Sequence, residues 1–67
     1  MAVKNNLKEF RSKLHMNQEE LASATGSCSR TISRIERGER NPSLEMALRL
    51  AECLNTSVEQ LFQLDEY

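Results

Sequence analysis

The chain has 67 residues and a formal net charge of −1, and only one Tyr and two Phe stand among its apolar residues. This length suits one domain with a small aliphatic core, so we expect a single domain over residues 1–67 without a separate sensor or catalytic unit. No apolar run resembles a secretion signal or a membrane span, which predicts a cytoplasmic protein. Two glycines and one proline favour short helices joined by tight turns.

Residues that could form a metal or catalytic site are sparse. Cys28 and Cys53 are far apart and lack CxxC spacing, which indicates reduced thiols. His15 has no acidic cluster, nucleophile or acid beside it, and a chain this short offers no deep pocket. We therefore expect no metal, cofactor or small-molecule ligand, and no enzymatic activity.

Charge is distributed unevenly along the chain. Residues 1–43 carry eight basic and five acidic side chains, whereas residues 44–67 carry one basic and five acidic. The first part is therefore net positive and can present a basic face that attracts phosphate groups, although the whole chain is slightly negative.

Signals for helix starts divide the chain into five predicted helices. Asn6-x-x-Glu9 and Asn17-x-x-Glu20 have the form of capping boxes, in which each side chain accepts a hydrogen bond from the other residue's backbone N–H. Ser43 and Ser57 are further cap residues. The predicted helices cover residues 7–15, 18–25, 29–37, 44–54 and 58–63. The last six residues, Phe62-Gln63-Leu64-Asp65-Glu66-Tyr67, alternate between apolar and polar at their start. This tail fits either a short strand that leaves the fifth helix, with Ala2-Val3 as its candidate partner, or a frayed end.

Residues 18–37 contain, in order, the parts of two helices joined by a tight turn. Ala22 is small enough for close helix crossing, and Gly26 tolerates the positive φ that the turn needs. Ile32 and Ile35 then form an inward pair on the second helix. If they point inward, the outward positions of that helix are Ser29, Arg30, Ser33 and Arg34.

Several segments together resemble one known family over about residues 6–63. They are Gln18-Glu19-Glu20-Leu21-Ala22, Gly26, Ser29 to Gly38, Asn41-Pro42-Ser43 and the stretch from Leu50-Ala51 to Leu61-Phe62. They are similar to the Xre/Cro/cI-type, phage lambda repressor-like helix-turn-helix family. The resemblance implies an all-α, five-helix bundle, here with the option of a short terminal β-ribbon. It also implies a transcriptional regulator, most simply a repressor, that binds a palindromic operator in double-stranded DNA as a homodimer, with the helix at about 29–37 in the major groove.

The resemblance also assigns roles to residues. The base-reading positions are Ser29, Arg30, Ser33 and Arg34, and the phosphate-contacting positions are Asn17, Gln18, Arg37, Arg40 and Asn41. Arginine matches the acceptor pair of guanine, which favours Arg30 first and Arg34 second as base readers. Arg34 fits a phosphate contact equally well, and a solvated helix face is the alternative for both. Arg11 and Glu36 match a partly buried structural salt bridge. Lys4, Lys8 and Lys13 fit either phosphate contact or plain solvation.

The sequence departs from the family pattern just before the third helix, at Thr25, Ser27 and Cys28. Cys28 is a poor cap residue, so Ser27 could take over the capping and move the start of the helix by one position. A thiol at a helix N-terminus near Arg30 is expected to have a lowered pKa. We hypothesise that its oxidation could stop DNA binding; a small packing residue is the alternative.

The fourth helix has more apolar residues than one buried stripe requires. One predicted face contains Leu44, Ala47, Leu48, Ala51 and Leu54, and an adjacent one contains Met46, Leu50 and Cys53. Either a second subunit or the C-terminal tail must cover the second face. We predict a dimer interface made of Met46, Leu50, Cys53 and Leu64, with Tyr67 as a further candidate. It would place two recognition helices about 34 Å apart, one turn of DNA.

A protein-interaction module that keeps this fold without binding DNA is the main alternative function. Such a module would more often expose apolar anchors on its third helix. The outward positions here are polar and basic, which favours the DNA-binding regulator.

Overall fold

Five helices and two strands make up the computed structural model, which describes residues 2–65. The elements are β1 (Ala2–Asn5), α1 (Leu7–Lys13), α2 (Gln18–Thr25), α3 (Ser29–Glu36), α4 (Leu44–Cys53), α5 (Val58–Leu61) and β2 (Phe62–Asp65). The predicted five-helix fold class is confirmed, although four helices end one or two residues early. Two of those ends lie just before His15 and Asn55, whose positive φ values of 56° and 54° turn the chain out of the helix. Within residues 2–65, no helix is both long and apolar enough to cross a bilayer.

The two terminal strands form an antiparallel ribbon. Val3 lies opposite Leu64, and Asn5 lies opposite Phe62. This confirms the strand interpretation of residues 62–65 and explains why α5 is shorter than predicted, since Phe62 already has extended backbone. Tyr67, the further candidate for the dimer interface, lies outside the described residues.

Helix α2 has the start and the end that its sequence predicts. The Asn17 side chain accepts a hydrogen bond from Glu20 N at 2.7 Å, and the Glu20 carboxylate accepts one from Asn17 N at 2.8 Å. At the other end Gly26 has a φ of 72°, and Ser27 N donates to Ala22 O at 2.8 Å. These bonds satisfy orphan backbone groups at both ends of the helix and fix the turn that leads into α3.

The capping box predicted at the start of α1 is wrong. Asn6 makes no side-chain cap bond, and its backbone (φ −112°, ψ 25°) lacks the extended geometry typical of a cap. Strand β1 continues to Asn5, whose side chain accepts from Leu7 N at 3.2 Å instead. The Asn6 amide donates to Gln60 O at 3.1 Å, so it joins the start of α1 to α5.

Every helix contributes at least one large side chain to the core. The fully buried ones are Leu7, Leu21, Ile32, Ile35, Leu50 and Leu61. Helix α3 supplies two of these six, on successive turns, so the rotation of α3 about its own axis is fixed by packing.

The orientation of α4 differs from the prediction. Leu50 has no exposed surface and lies in the core beside Ala47 and Ala51, so its predicted place in a dimer interface is wrong. Leu44 and Leu48, predicted to face inward, are 75% and 55% exposed. The apolar arc of α4 extends to both sides of its buried stripe, and sequence periodicity alone does not show which side the protein covers.

Met46 and Cys53 lie on the covered side of α4. Both are half-buried and pack against the core. Helix α2 packs on α4, and Cys53 lines a shallow depression together with Ala24 of α2. These two residues therefore belong largely to the protomer, whereas Leu64 on β2 is 57% exposed, as an interface residue requires.

Candidate functional site

Helix α3 has one buried side and one polar side. Ile32 and Ile35 are 0% and 1% exposed, and they occupy the side that faces α1 and α2. Arg30 is exposed, while Ser33 and Arg34 are half-exposed. The burial of the two isoleucines therefore aims the side chains of Arg30, Ser33 and Arg34 away from the body of the protein.

The remaining predicted contact residues belong to the starts of α2 and α3 and to the segment after α3. Arg37, Arg40 and Asn41 follow α3 and are exposed, as is Asn17 at the start of α2. Ser29 and Gln18 are half-buried. Among the ion pairs of residues 2–65, none involves Arg30 or Arg40, so both guanidinium groups are available to a ligand.

A nearly buried ion pair holds the end of α3 against α1. Arg11 Nε and Nη2 donate to the two carboxylate oxygens of Glu36 at 2.7 and 3.2 Å, and the side chains are only 12% and 5% exposed. Arg11 Nη1 also donates to Met16 O at 2.8 Å. The hydrogen bond to Glu36 raises the pKa of Arg11 above its ordinary value. Because the two groups are paired through two hydrogen bonds, Arg11 and Glu36 have a structural role and are not available to bind DNA.

Two contacts that sequence reasoning missed add to this attachment. Gln18 Nε2 donates to Glu36 Oε1 at 3.0 Å, so the side chain of this predicted phosphate-contacting residue is turned toward the ion pair. Asn5 Nδ2 donates to Ile35 O at 2.9 Å and ties β1 to the last turn of α3. Neither pairing has a local sequence signal, because the partners are 18 and 30 positions apart. Gln18 is the first residue of α2, and its backbone N–H is the group that we expect to contact an anion.

The start of α3 is not shifted by Ser27. The helix begins at Ser29 with Cys28 as its N-cap residue, and Cys28 makes no side-chain cap bond. Its thiol is exposed and hydrogen-bonded to the Thr31 hydroxyl at 3.3 Å. That bond, more than the nearby Arg30, lowers the pKa of Cys28, which agrees with the predicted direction but adds a cause that the prediction lacked.

One acidic side chain lies among the exposed arginines. Glu39 Oε2 is 3.1 Å from Arg37 Nε, and Glu39 Oε1 is 3.9 Å from Arg34 Nε. All three side chains are more than two-fifths exposed. No sequence signal pointed to a role for Glu39.

Comparison with known proteins agrees with this geometry. A family model described as helix-turn-helix matches residues 7–61. An uncharacterised HTH-type transcriptional regulator from Archaeoglobus fulgidus is 42% identical over 64 residues, which cover 96% of this chain and 90% of that protein. Control protein C.SmaI from Serratia marcescens is 39% identical over 56 residues, covering 84% and 67% of the two chains.

A solved structure shows the same fold. The restriction-modification controller protein C.AhdI from Aeromonas hydrophila superposes with a TM-score of 0.76 at 35% identity, covering 81% of this chain and 82% of that one. The chain belongs to the Xre/Cro/cI-type helix-turn-helix family. Members of this family are DNA-binding transcriptional regulators.

The ion pair between α1 and α3 should contribute strongly to folding stability. We expect Glu36→Gln to lower the free energy of unfolding by about 2–4 kcal/mol, because it leaves the nearly buried Arg11 charge unpaired. Urea unfolding followed by circular dichroism measures this change.

Glu45→Gln is the matched control, since it breaks another Arg–Glu pair with a distance of 2.6 Å whose side chains are 55% and 74% exposed. It should cost no more than about 1 kcal/mol. Equal losses in the two variants would contradict a structural role for the buried pair.

Proposed function

We propose that the chain is a sequence-specific regulator that binds a palindromic operator in double-stranded DNA as a homodimer and acts as a repressor. The observation that carries this proposal is the two-sided structure of α3: Ile32 and Ile35 are buried, and Arg30 and Arg34 point outward. A helix with this exposure can enter a major groove without disturbing its own packing. The proposal includes a cytoplasmic location and a role without catalysis or a cofactor.

We assign contacts with bases and contacts with phosphates to different residues. Arg30 has an exposed guanidinium outside any ion pair of residues 2–65, which suits bidentate contact with O6 and N7 of guanine. Ser29, Ser33 and Arg34 are its neighbours on the same helix. The proposed phosphate contacts come from Asn17 and the Gln18 backbone at the start of α2, and from Arg37, Arg40 and Asn41 after α3.

The names of two similar proteins support a small stand-alone regulator. One is called a control protein and the other a restriction-modification controller protein. This chain covers 82% of the latter, so most of that controller also consists of this fold.

The exposed leucines of α4 are the surface that we propose for dimerisation. Leu44 and Leu48 lie one turn apart and expose 75% and 55% of their surface. Two adjacent exposed leucines on a short helix are costly in water, and a second copy of the same helix can cover them by a two-fold, self-complementary contact. Leu64, also exposed, remains a candidate for the edge of this interface, whereas Met46 and Cys53 can contribute only their exposed parts.

The dimensions of the protomer suit two-fold binding to DNA. Its principal extents are 33, 21 and 20 Å. Recognition helices bound in successive major grooves are about 34 Å apart. Two copies in side-by-side contact can therefore reach grooves on the same side of the duplex.

The division between base reading and phosphate binding can be tested with two arginine variants. Arg30→Ala should relax the preference at one base position in each half-site, at a cost of about 1–3 kcal/mol on the preferred site. Arg40→Ala should weaken binding to all duplexes about equally and reduce the steepness of the salt dependence by about one. Selection from random duplex DNA, followed by binding titrations at several salt concentrations, measures both effects.

Selection of no common sequence by the unaltered chain would overturn sequence-specific binding. Indistinguishable behaviour of the two variants would overturn the division of roles.

The dimer surface can be tested with a charge introduced on α4. Leu48→Glu should shift the protein from dimer to monomer in analytical ultracentrifugation at micromolar concentration, because the two-fold contact would bring like charges together in an apolar patch. Leu14→Glu is the control, since Leu14 is similarly exposed (48%) but follows α1. A monomeric unaltered chain, or a Leu48→Glu variant that still forms dimers, would contradict the proposed interface.

A further inference from the structure

Glu39 occupies a defined position at the end of the recognition helix. Gly38 has a φ of 77°, and the turn that it makes lets Glu39 N donate to Arg34 O at 2.9 Å. The Glu39 backbone is therefore held by the C-terminal end of α3. This hydrogen bond fixes the Glu39 Cα beside the arginines of that helix, so the side chain extends from a defined position.

The Glu39 carboxylate contacts two arginines at once. Oε2 is 3.1 Å from Arg37 Nε, and Oε1 accepts a hydrogen bond from Arg37 Nη2 at 3.4 Å and lies 3.9 Å from Arg34 Nε. The contact with Arg37 uses both carboxylate oxygens, which is the geometry that a phosphate group would also use. Glu39 thus occupies the anion-binding side of Arg37.

The surroundings of Glu39 are otherwise basic. Arg30, Arg34, Arg37 and Arg40 all lie within eleven residues, and the other glutamate of this segment, Glu36, is turned inward to Arg11. Within residues 30–40, Glu39 is therefore the carboxylate that lies among the exposed arginines, near any phosphates that they bind. Its charge repels those phosphates and competes with them for Arg37.

We infer that Glu39 limits the affinity of the chain for DNA: its carboxylate competes with phosphates for Arg37 and Arg34, so binding to any duplex is weaker than these arginines alone would allow. This inference rests on the proposed function. A phosphate that pairs with Arg37 must displace the carboxylate on the operator and on other DNA alike. The same free-energy penalty therefore applies to both complexes, and it lowers both affinities by a similar factor.

The test compares Glu39→Gln with Glu59→Gln. Glu59 is an exposed residue of α5 that takes part in no ion pair of residues 2–65, so its variant makes the same change in net charge away from the arginines. Binding is measured by fluorescence anisotropy on a selected operator duplex and on a scrambled duplex of the same length and composition. Titrations from low to moderate salt give the salt dependence for each.

We expect Glu39→Gln to raise affinity for the scrambled duplex about three- to fivefold, in line with the modest strength of exposed pairs. Affinity for the operator should rise by a similar factor, because Arg37 is proposed to contact a phosphate in both complexes. The salt dependence on scrambled DNA should become steeper by about one released ion. Glu59→Gln should change each quantity by less than about half as much, through general charge alone.

A second background shows whether the effect passes through the arginines. With Arg34 and Arg37 both replaced by Gln, the addition of Glu39→Gln should raise affinity by less than half of its effect in the unaltered chain, because only direct repulsion of phosphates remains. A full effect in that background would overturn the inference.

Failure of this inference can be told apart from failure of the proposed function. If the unaltered chain selects an operator but Glu39→Gln and Glu59→Gln behave alike, Glu39 does not compete with phosphates. A rise confined to the operator duplex also overturns the inference. If the unaltered chain binds no duplex at low salt, the proposed function fails and the inference fails with it.

Discussion

The burial of Ile32 and Ile35 is the constraint on which the rest of the molecule depends. These two side chains fix the rotation of α3, and the fork between Arg11 and Glu36 fixes its last turn. Both are needed, because an eight-residue helix is too short to be stable alone and takes its stability from packing. The few polar side chains on the outer face of α3 can keep fixed positions only if the helix does not rotate about its own axis.

Arginine–glutamate pairs serve two different purposes at the two sides of α3. The pair of Arg11 and Glu36 is nearly buried, has additional partners in Gln18 and Met16, and joins two helices. The contacts of Glu39 are exposed to solvent and therefore weak, so a phosphate can replace the carboxylate. The two sets of contacts have the same chemistry and differ in burial. The buried pair is therefore structural, whereas in the exposed contacts a competing anion can displace the Glu39 carboxylate.

The sequence predicted most of the fold because its signals are local. Asn17-x-x-Glu20, Gly26 and the two isoleucines each act within one or two helical turns, and their elements agree with the structure. The prediction failed at Asn6 and Leu50, where the outcome depends on elements far along the chain. Asn6 is drawn to α5, and Leu50 is turned inward by the way α4 lies on α2, which leaves Leu44 and Leu48 exposed. Periodicity gave the width of the apolar arc on α4 but not its direction.

The most direct test of α3 as the reading surface is an NMR titration of isotope-labelled protein with a selected operator duplex. The largest changes in chemical shift should occur at Arg30, Ser33 and Arg34 and in the loop at Arg40, while the methyl groups of Ile32 and Ile35 should move little. Changes concentrated on α4 or the β-ribbon, with α3 unaffected, would contradict the assignment of α3 as the DNA-reading helix.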